Sequence, residues 1–242
     1  MKAYVLGEGG PEVRDVEAPK PGHGDVLIRV RASGLNRVDI LMSRGRKHGS
    51  QGGPGAVLGL EWAGEVTQVG EGVETFKPGD RVMGSGGGAW AEFVCVDAGR
   101  VAPIPEGVSF EQGATLAVAL QTMHDAVVTH GQLQAGGSIL IQGASTGVGL
   151  MGLQIAKVVG AGLVIGSSTN LERRARLGEF GADLAIDSRD PGWVDQVLAA
   201  TGGKGVDAVV DQLSGYVAND NMRATRIGGR IVNVGRLGGE KG

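Results

Sequence analysis

The chain has 242 residues, 41% of them hydrophobic and 20% charged, with a net charge of −3; this describes a globular polypeptide long enough for two domains. The negative balance and the lack of a basic run interleaved with aromatics exclude an extended nucleic-acid surface, and no apolar stretch approaches the roughly 20 residues that span a bilayer. Cys95 is the only cysteine, so an intrachain disulfide and a cysteine-cluster zinc site are both excluded. Flanked by Val94 and Val96, it reads as a buried structural thiol. The N-terminal Met-Lys-Ala-Tyr-Val-Leu carries no long apolar region or cleavage site, and the expectation is a soluble cytoplasmic protein without a membrane partner.

In chain order, residues 3–6, 25–32, 64–69, 81–83 and 90–96 carry short apolar or alternating runs broken by Gly and Pro, the pattern of a β-rich unit. The glycine-rich segments 50–55 and 84–88 read as mobile loops, either of which can border a substrate cleft. From about Phe110 the pattern turns helical, and after Gly136 strand and helix alternate, with strands expected at 138–142, 163–166, 183–187, 206–211 and 230–234. The shift near 110–125 divides the chain into an expected β-rich domain over 1–118 and a nucleotide-binding α/β domain over 119–242. Although 46 residues are glycine, they follow no fixed period, which excludes a collagen-like chain.

The most informative stretch is Ser138-Ile-Leu-Ile-Gln-Gly-Ala-Ser-Thr-Gly-Val-Gly-Leu-Met-Gly152, an apolar strand running through small residues into a helix. Small side chains let the backbone approach a pyrophosphate, and the unpaired N–H groups and positive dipole end of the helix favour its charge. Gly147, Gly149 and Gly152 fit G-x-G-x-x-G literally. The strand ends at Gln142, however, so the tight turn is expected at Gly143 or Ala144. Gly149 then takes the helix-packing role, and Gly152 is only a small residue inside the helix. In this register Ala144, Ser145, Thr146, Gly147, Val148 and Gly149 form the dinucleotide site, with Ser145 to Val148 nearest the phosphates.

At the end of the second strand, where an NAD site places Asp or Glu for the ribose 2′-hydroxyl, this chain has Ser167, Ser168, Thr169 and Asn170, then Arg173 and Arg174. A carboxylate would repel a 2′-phosphate, whereas hydroxyls with a guanidinium bind one through charge-assisted hydrogen bonds. NADPH is therefore the expected cofactor. The competing reading makes Arg173, Arg174 and Arg176 the solvated face of a helix.

Around the turn stand Ala32-Ser-Gly-Leu-Asn-Arg-Val-Asp39, Gly59-Leu-Glu-Trp-Ala-Gly-Glu-Val66, Val69-Gly-Glu-Gly-Val73, Phe76-Lys-Pro-Gly-Asp-Arg-Val82 and Gly228-Gly-Arg-Ile-Val-Asn-Val-Gly235. Their order resembles the medium-chain dehydrogenase/reductase superfamily and, within it, the zinc-free NADPH quinone oxidoreductases of the zeta-crystallin type. The resemblance spans essentially the whole chain. It implies a GroES-like β-rich catalytic domain joined to a Rossmann doubly wound parallel sheet, with the substrate in the cleft between them. Asn36-Arg37 stand where the zinc alcohol dehydrogenases have Cys-His, and Gly59-Leu60-Glu61 where they have Gly-His-Glu. Leucine cannot bind a metal, and none is expected. Without a Lewis acid an ordinary alkoxide loses its main stabilisation, so the implied substrates are acceptors that are already electrophilic, quinones and enones.

By its place in the first segment, Asn36 is implied to offer an amide donor to the oxyanion that develops as hydride leaves NADPH; its competing reading is a turn or capping residue after Gly34. The resemblance further implies Thr122, in Leu120-Gln-Thr-Met-His124, as facing the cofactor. Val234 and Gly235 become the backbone nearest the nicotinamide, and Arg173 the holder of the 2′-phosphate, alongside Ser167 and Ser168. Asp39 reads as structural, Glu61 is given no catalytic part, and Trp62 and Trp90 read as core. His23, His48, His124 and His130 lack metal-ligand spacing, and His124, two residues past Thr122, is expected to point elsewhere on its helix.

Leu41, Met42, Arg46 and Lys47 replace aromatics common in quinone reductases, which leaves the acceptor open. One alternative is an enoyl-thioester or 2-alkenal reductase of the same superfamily. Another is a non-catalytic NADPH-binding structural or regulatory protein. Family members add a sixth strand, often used to pair homodimers, and elements that return to the catalytic domain. After five Rossmann strands this chain is expected to lack those C-terminal elements, as a truncated or a natural short form, and to leave a sheet edge uncovered.

Overall fold

Half-buried strands need partners, and the computed structural model, which describes residues 1–49 and 51–239, shows where each finds one. The first unit, Met1–Val118, opens with an antiparallel hairpin of β1 (Lys2–Gly7) and β2 (Gly10–Asp15). Its main layer contains β3 (Asp25–Gly34), β4 (Glu61–Val69), β5 (Arg81–Ser85), β6 (Phe93–Asp97) and β7 (Val101–Pro103), antiparallel in the order β6-β3-β4-β5-β7. Alternate residues share a face, and Val26, Ile28, Trp62, Val66, Val82 and Val94 meet there as a buried core against which Trp90 packs. Helix α1 (Arg37–Ser43) follows β3, and α2 (Phe110–Ala114) packs on β3 and β4.

Pairing explains where these strands depart from the sequence expectation. β4 starts three residues early because Glu61 pairs with Gly34 on one side and Ser85 on the other. Gly84 and Ser85, expected in a loop, end β5, since Gly84 also pairs with Val101 of β7. β2 is mostly exposed and carries no apolar alternation; it exists through its ladder to β1. Of the expected loop over 50–55, Ser50 lies outside the described residues.

The second unit is Ala119–Gly242. Helix α3 (Ala117–His124) passes into a π-helical turn, Asp125–His130. Then follow β8 (Ser138–Gln142), α4 (Gly147–Val159), β9 (Leu163–Ser167), α5 (Leu171–Ala175), β10 (Leu184–Ile186), α6 (Trp193–Ala200), β11 (Val206–Asp211), α7 (Ala218–Ala224) and β12 (Thr225–Asn233). All five strands are parallel, in the order β10-β9-β8-β11-β12. The inner strands β8, β9 and β11 read as largely apolar runs because both their faces are covered, whereas β12 is mostly exposed. Ile139, Ile141, Leu153 and Val210 fall in one buried cluster, and Leu140, Ile165, Trp193 and Val209 in another. The order reverses between β8 and β11, and in such sheets ligands bind beyond the carboxyl ends of the strands at this switch point. Among the described residues β12 is an edge strand, and no helix is long and apolar enough to cross a membrane.

Candidate functional site

The turn after β8 occupies the switch point. β8 ends at Gln142 and the chain bends at Gly143, whose φ is +70°. Thr146 caps α4: its hydroxyl accepts from the Gly149 N–H at 2.9 Å and can donate to Gln212 Oε1 at 3.0 Å or the Gly143 carbonyl at 3.1 Å. A Cβ on Gly149 would stand 2.6 Å from the Gly143 carbonyl oxygen and 2.7 Å from Ala144 Cα. Only glycine lets the helix start this close to the strand, which is the helix-packing role in the motif. Gly152 is more constrained than a small helical residue, because a Cβ there would stand 2.9 Å from Met123 Sδ and 3.0 Å from Ile141 Cδ1. Helix geometry leaves the N–H groups of Gly147 and Val148 without intrahelical partners, and Gly147 is exposed with open space around it. Ala144 is buried, its N–H donating to the Ser167 carbonyl at 2.8 Å. Free donors at the N-terminus of a 13-residue helix, beside small half-exposed residues, fit a pyrophosphate in charge and in space.

Beneath the turn lies a buried polar network. Gln142 accepts from Ser167 Oγ at 2.6 Å and donates to Asn221 Oδ1 at 2.8 Å. Gly143 N donates to Ser167 Oγ at 3.0 Å, and Gln212 Nε2 donates to the Gln142 carbonyl at 3.1 Å. Ser167 is fully buried, and both bonds of its hydroxyl go to the turn, so its side chain supports the site from below. Ser168 is nearer the rim: its Oγ lies 2.8 Å from Ser145 Oγ, joining the phosphate turn to the end of β9. Asn170 caps α5 by accepting from Arg173 N at 2.9 Å.

The three arginines separate by their partners. Arg176 pairs with Glu179, and Arg174 donates to the Ser168 carbonyl at 2.8 Å and to Asp187 at 2.6 Å. Arg173 is exposed, and among the described residues its guanidinium has no partner. An open pocket of about 920 Å³ is lined by Leu120, Thr122, His124, Ile155 and Val234, among others. It brings Thr122 and Val234 together, with Gly235 following in the chain. His124 lines the same pocket, contrary to the sequence expectation, where α3 gives way to the π-helical turn and the regular spacing of helix faces ends.

In the first unit Asn36 is the N-cap residue of α1, and its amide is held from elsewhere: Nδ2 donates to Glu61 Oε1 at 3.0 Å. Glu61 is 5% exposed and its second oxygen accepts from Val118 N at 2.9 Å. Asp39, 3% exposed, accepts from Asn36 N at 2.7 Å through Oδ2, while Oδ1 has no partner among the described residues. A Cβ on Gly34 would overlap Glu61 Oε1 and the Ala114 carbonyl, so that glycine is what allows the carboxylate to reach Asn36. Burial pushes Asp39 above its ordinary 3.8, against the bond from Asn36 N. Burial likewise pushes Glu61 above 4.5; the bonds from Val118 and Asn36 oppose the shift and the nearby Asp39 charge adds to it. No cation contributes to either shift.

Among the described residues no group of three or more His, Cys, Asp or Glu side chains stands together as a metal site. Cys95 is half-buried, and burial together with Asp25 pushes its thiol up, the opposite of an activated nucleophile.

The sequence alone gives no part to Gln212 and Asn221, marks Gln142 only as a strand end, leaves Arg174 undivided from Arg173 and Arg176, and gives Glu61 no catalytic part. Gln142 did carry a signal, being the polar end of an otherwise apolar run. Glu61 is found only once β3 and β4 are paired.

Two family models match the chain: "Alcohol dehydrogenase GroES-like domain" over residues 22–106 and "Zinc-binding dehydrogenase" over residues 147–242. A quinone oxidoreductase of Rattus norvegicus is 34% identical, the match covering 98% of this chain and 74% of that protein. The chain also matches mycobacterial polyketide synthases, of which it spans about a tenth, 11% in Mycolicibacterium smegmatis. Among solved structures, mycobacterial Rv1454c complexed with NADPH superposes with a TM-score of 0.86 at 29% identity, over 100% of this chain and 76% of that one. The CurK enoyl reductase superposes with a TM-score of 0.88 at 26% identity, over 98% and 75%.

Proposed function

The chain belongs to the medium-chain dehydrogenase/reductase superfamily as a quinone-oxidoreductase-like protein, an oxidoreductase with a nicotinamide cofactor, and from that premise we propose that it uses NADPH to reduce quinones or enones without a metal. The observation that carries the cofactor choice is the end of β9, where Ser168 and the unpaired Arg173 guanidinium stand in place of a carboxylate. The NADPH complex of the mycobacterial relative supports it. Asn36 and Leu60, in positions where zinc enzymes of the superfamily carry ligands, support the metal-free reading.

When bound, the reduced nicotinamide supplies the hydride. The N–H groups of Gly147 and Val148 hold the pyrophosphate, with Ser145 beside them, while Arg173 and Ser168 receive the 2′-phosphate. Thr122, Val234 and Gly235 border the nicotinamide. Asn36 has two amide N–H groups; Glu61 takes one, which fixes the amide plane, and the other is left to donate to the acceptor oxygen as negative charge builds there. Position and one oriented donor suffice for an acceptor that is already electrophilic. A homodimer belongs to the same reading for the full-length family form, whose sixth strand pairs the copies.

The likeness to CurK favours an enoyl-thioester as a second acceptor class. NADPH oxidation by the purified chain, with a chelator present, tests both readings on a panel of quinones, enones and an enoyl-thioester, with NADH as control. Chelator-insensitive turnover preferring NADPH is expected, and the panel ranks the acceptors. NADPH binding without turnover of any acceptor would contradict the enzymatic reading and favour a non-catalytic role.

A further inference from the structure

At the same rim, β9 and β10 lie side by side with Ser167 opposite Ile186, and Ser168 N donates to the Ile186 carbonyl at 3.0 Å. Asp187, the first residue past β10, therefore stands beside Ser168, at the level where NAD-binding chains of this fold carry their acidic residue. The chain does have a carboxylate near the expected ribose position, supplied by the neighbouring strand. Both its oxygens are occupied: Oδ2 accepts from Arg174 Nη1 at 2.6 Å and Oδ1 from Arg189 N at 2.9 Å. Arg174 Nη1 also donates to the Ser168 carbonyl at 2.8 Å, so one guanidinium ties the two loops together. The pair is partly covered, with Arg174 and Asp187 side chains 20% and 29% exposed, and charges at that depth are screened less than fully solvated ones.

We propose that Arg174 sets the cofactor preference by masking Asp187, which keeps the rim receptive to a 2′-phosphate. Arg173 is then the contact residue, and Arg174 a positioning residue that acts through the carboxylate. The other charges of the two loops are engaged or turned outward. The Arg189 guanidinium lies 4.6 Å from the Tyr216 ring centre, and Asp190 accepts from Gly192 N and Gln196 Nε2. Arg176 pairs with Glu179, and Glu172 is exposed on the first turn of α5. With Arg174 neutralised, Asp187 would repel a 2′-phosphate and become free to accept from the ribose hydroxyls of NADH.

The inference rests on the NADPH reading above, and one set of titrations separates the two. Dissociation constants for NADPH and NADH are measured on the wild type, R174Q, R174K, D187N and the R174Q/D187N double variant. Unmasking one carboxylate near the phosphate should weaken NADPH about tenfold in R174Q while NADH affinity holds or rises. The double variant, which removes the exposed charge, should recover most of that loss, and R174K, which keeps the mask, should retain the preference. Equal losses for both cofactors in R174Q would overturn the proposal. So would a double variant as weak as R174Q, since Arg174 would then be touching the phosphate itself. A wild type that binds NADH as tightly as NADPH sinks the cofactor reading alone; masking then stands or falls on whether R174Q still moves the ratio.

Discussion

Both units bury polar side chains beside their sites, and the two clusters differ in kind. Beneath the dinucleotide turn the groups are neutral and almost fully matched: Gln142, Ser167, Gln212 and Thr146 exchange hydrogen bonds, and only Asn221 Nδ2 lacks a partner among the described residues. Around Asn36 the groups are acidic and under-matched: Asp39 and Glu61 are buried, no cation shifts them, and Asp39 Oδ1 is unpartnered. A satisfied neutral network holds one geometry. A buried carboxylate without a cation costs stability, and such costs are retained where a ligand or a reaction uses them. The first cluster therefore maintains a shape, and the proposed function assigns the second to orienting the Asn36 amide.

The comparison breaks most severely at Gly149. Gly149→Val drives side-chain atoms into the Gly143 and Ala144 backbone, and NADPH binding should fall below detection in a fluorescence titration, while the first unit keeps its fold by circular dichroism. Unchanged affinity would mean that the turn does not hold the dinucleotide. A smaller effect is expected from Gln142→Leu, which strands the Ser167 hydroxyl donor and Asn221 Oδ1. At about 1–3 kcal/mol for each unsatisfied group, denaturant unfolding should show a loss of roughly 2–6 kcal/mol; a neutral result would remove the network from the account.

The smallest effect sharpens the acidic side. Asp39 and Glu61 have folded-state pKa values raised above 3.8 and 4.5, so the folded chain keeps these protons to higher pH than the unfolded chain does. Their contribution is fully present below those unfolded values and is lost as pH rises through the folded ones. Asp39→Asn keeps an acceptor for Asn36 N and removes the charge. It should match the wild type below about pH 4 and be the more stable of the two at pH 8. A variant less stable at pH 8 would show that the Asp39 charge is favourable where it sits.

The parts of the molecule set by local rules were readable from residues. The strand ending at Gln142 and the helix-packing role of Gly149 follow from run length and from the space a turn requires. The alternation of strand and helix after Gly136 fixed the parallel sheet. What was not legible depends on partners distant in sequence. Glu61 reaches Asn36 only because β4 extends to pair with Gly34, and β2 and β7 exist through their ladders rather than their own patterns. Adjacent Arg173 and Arg174 are indistinguishable as letters. The fold separates them by turning one toward Asp187 and leaving the other free.

The central claim is the proposed one, that Asn36 serves the reaction and not the binding of the cofactor. It is tested most directly by measuring the NADPH dissociation constant and kcat of Asn36→Ala on the best acceptor of the panel. Loss of an oriented donor to a developing oxyanion predicts a fall in kcat of about 100-fold, with the dissociation constant unchanged. An unchanged kcat, or equal losses in kcat and NADPH affinity, would contradict it.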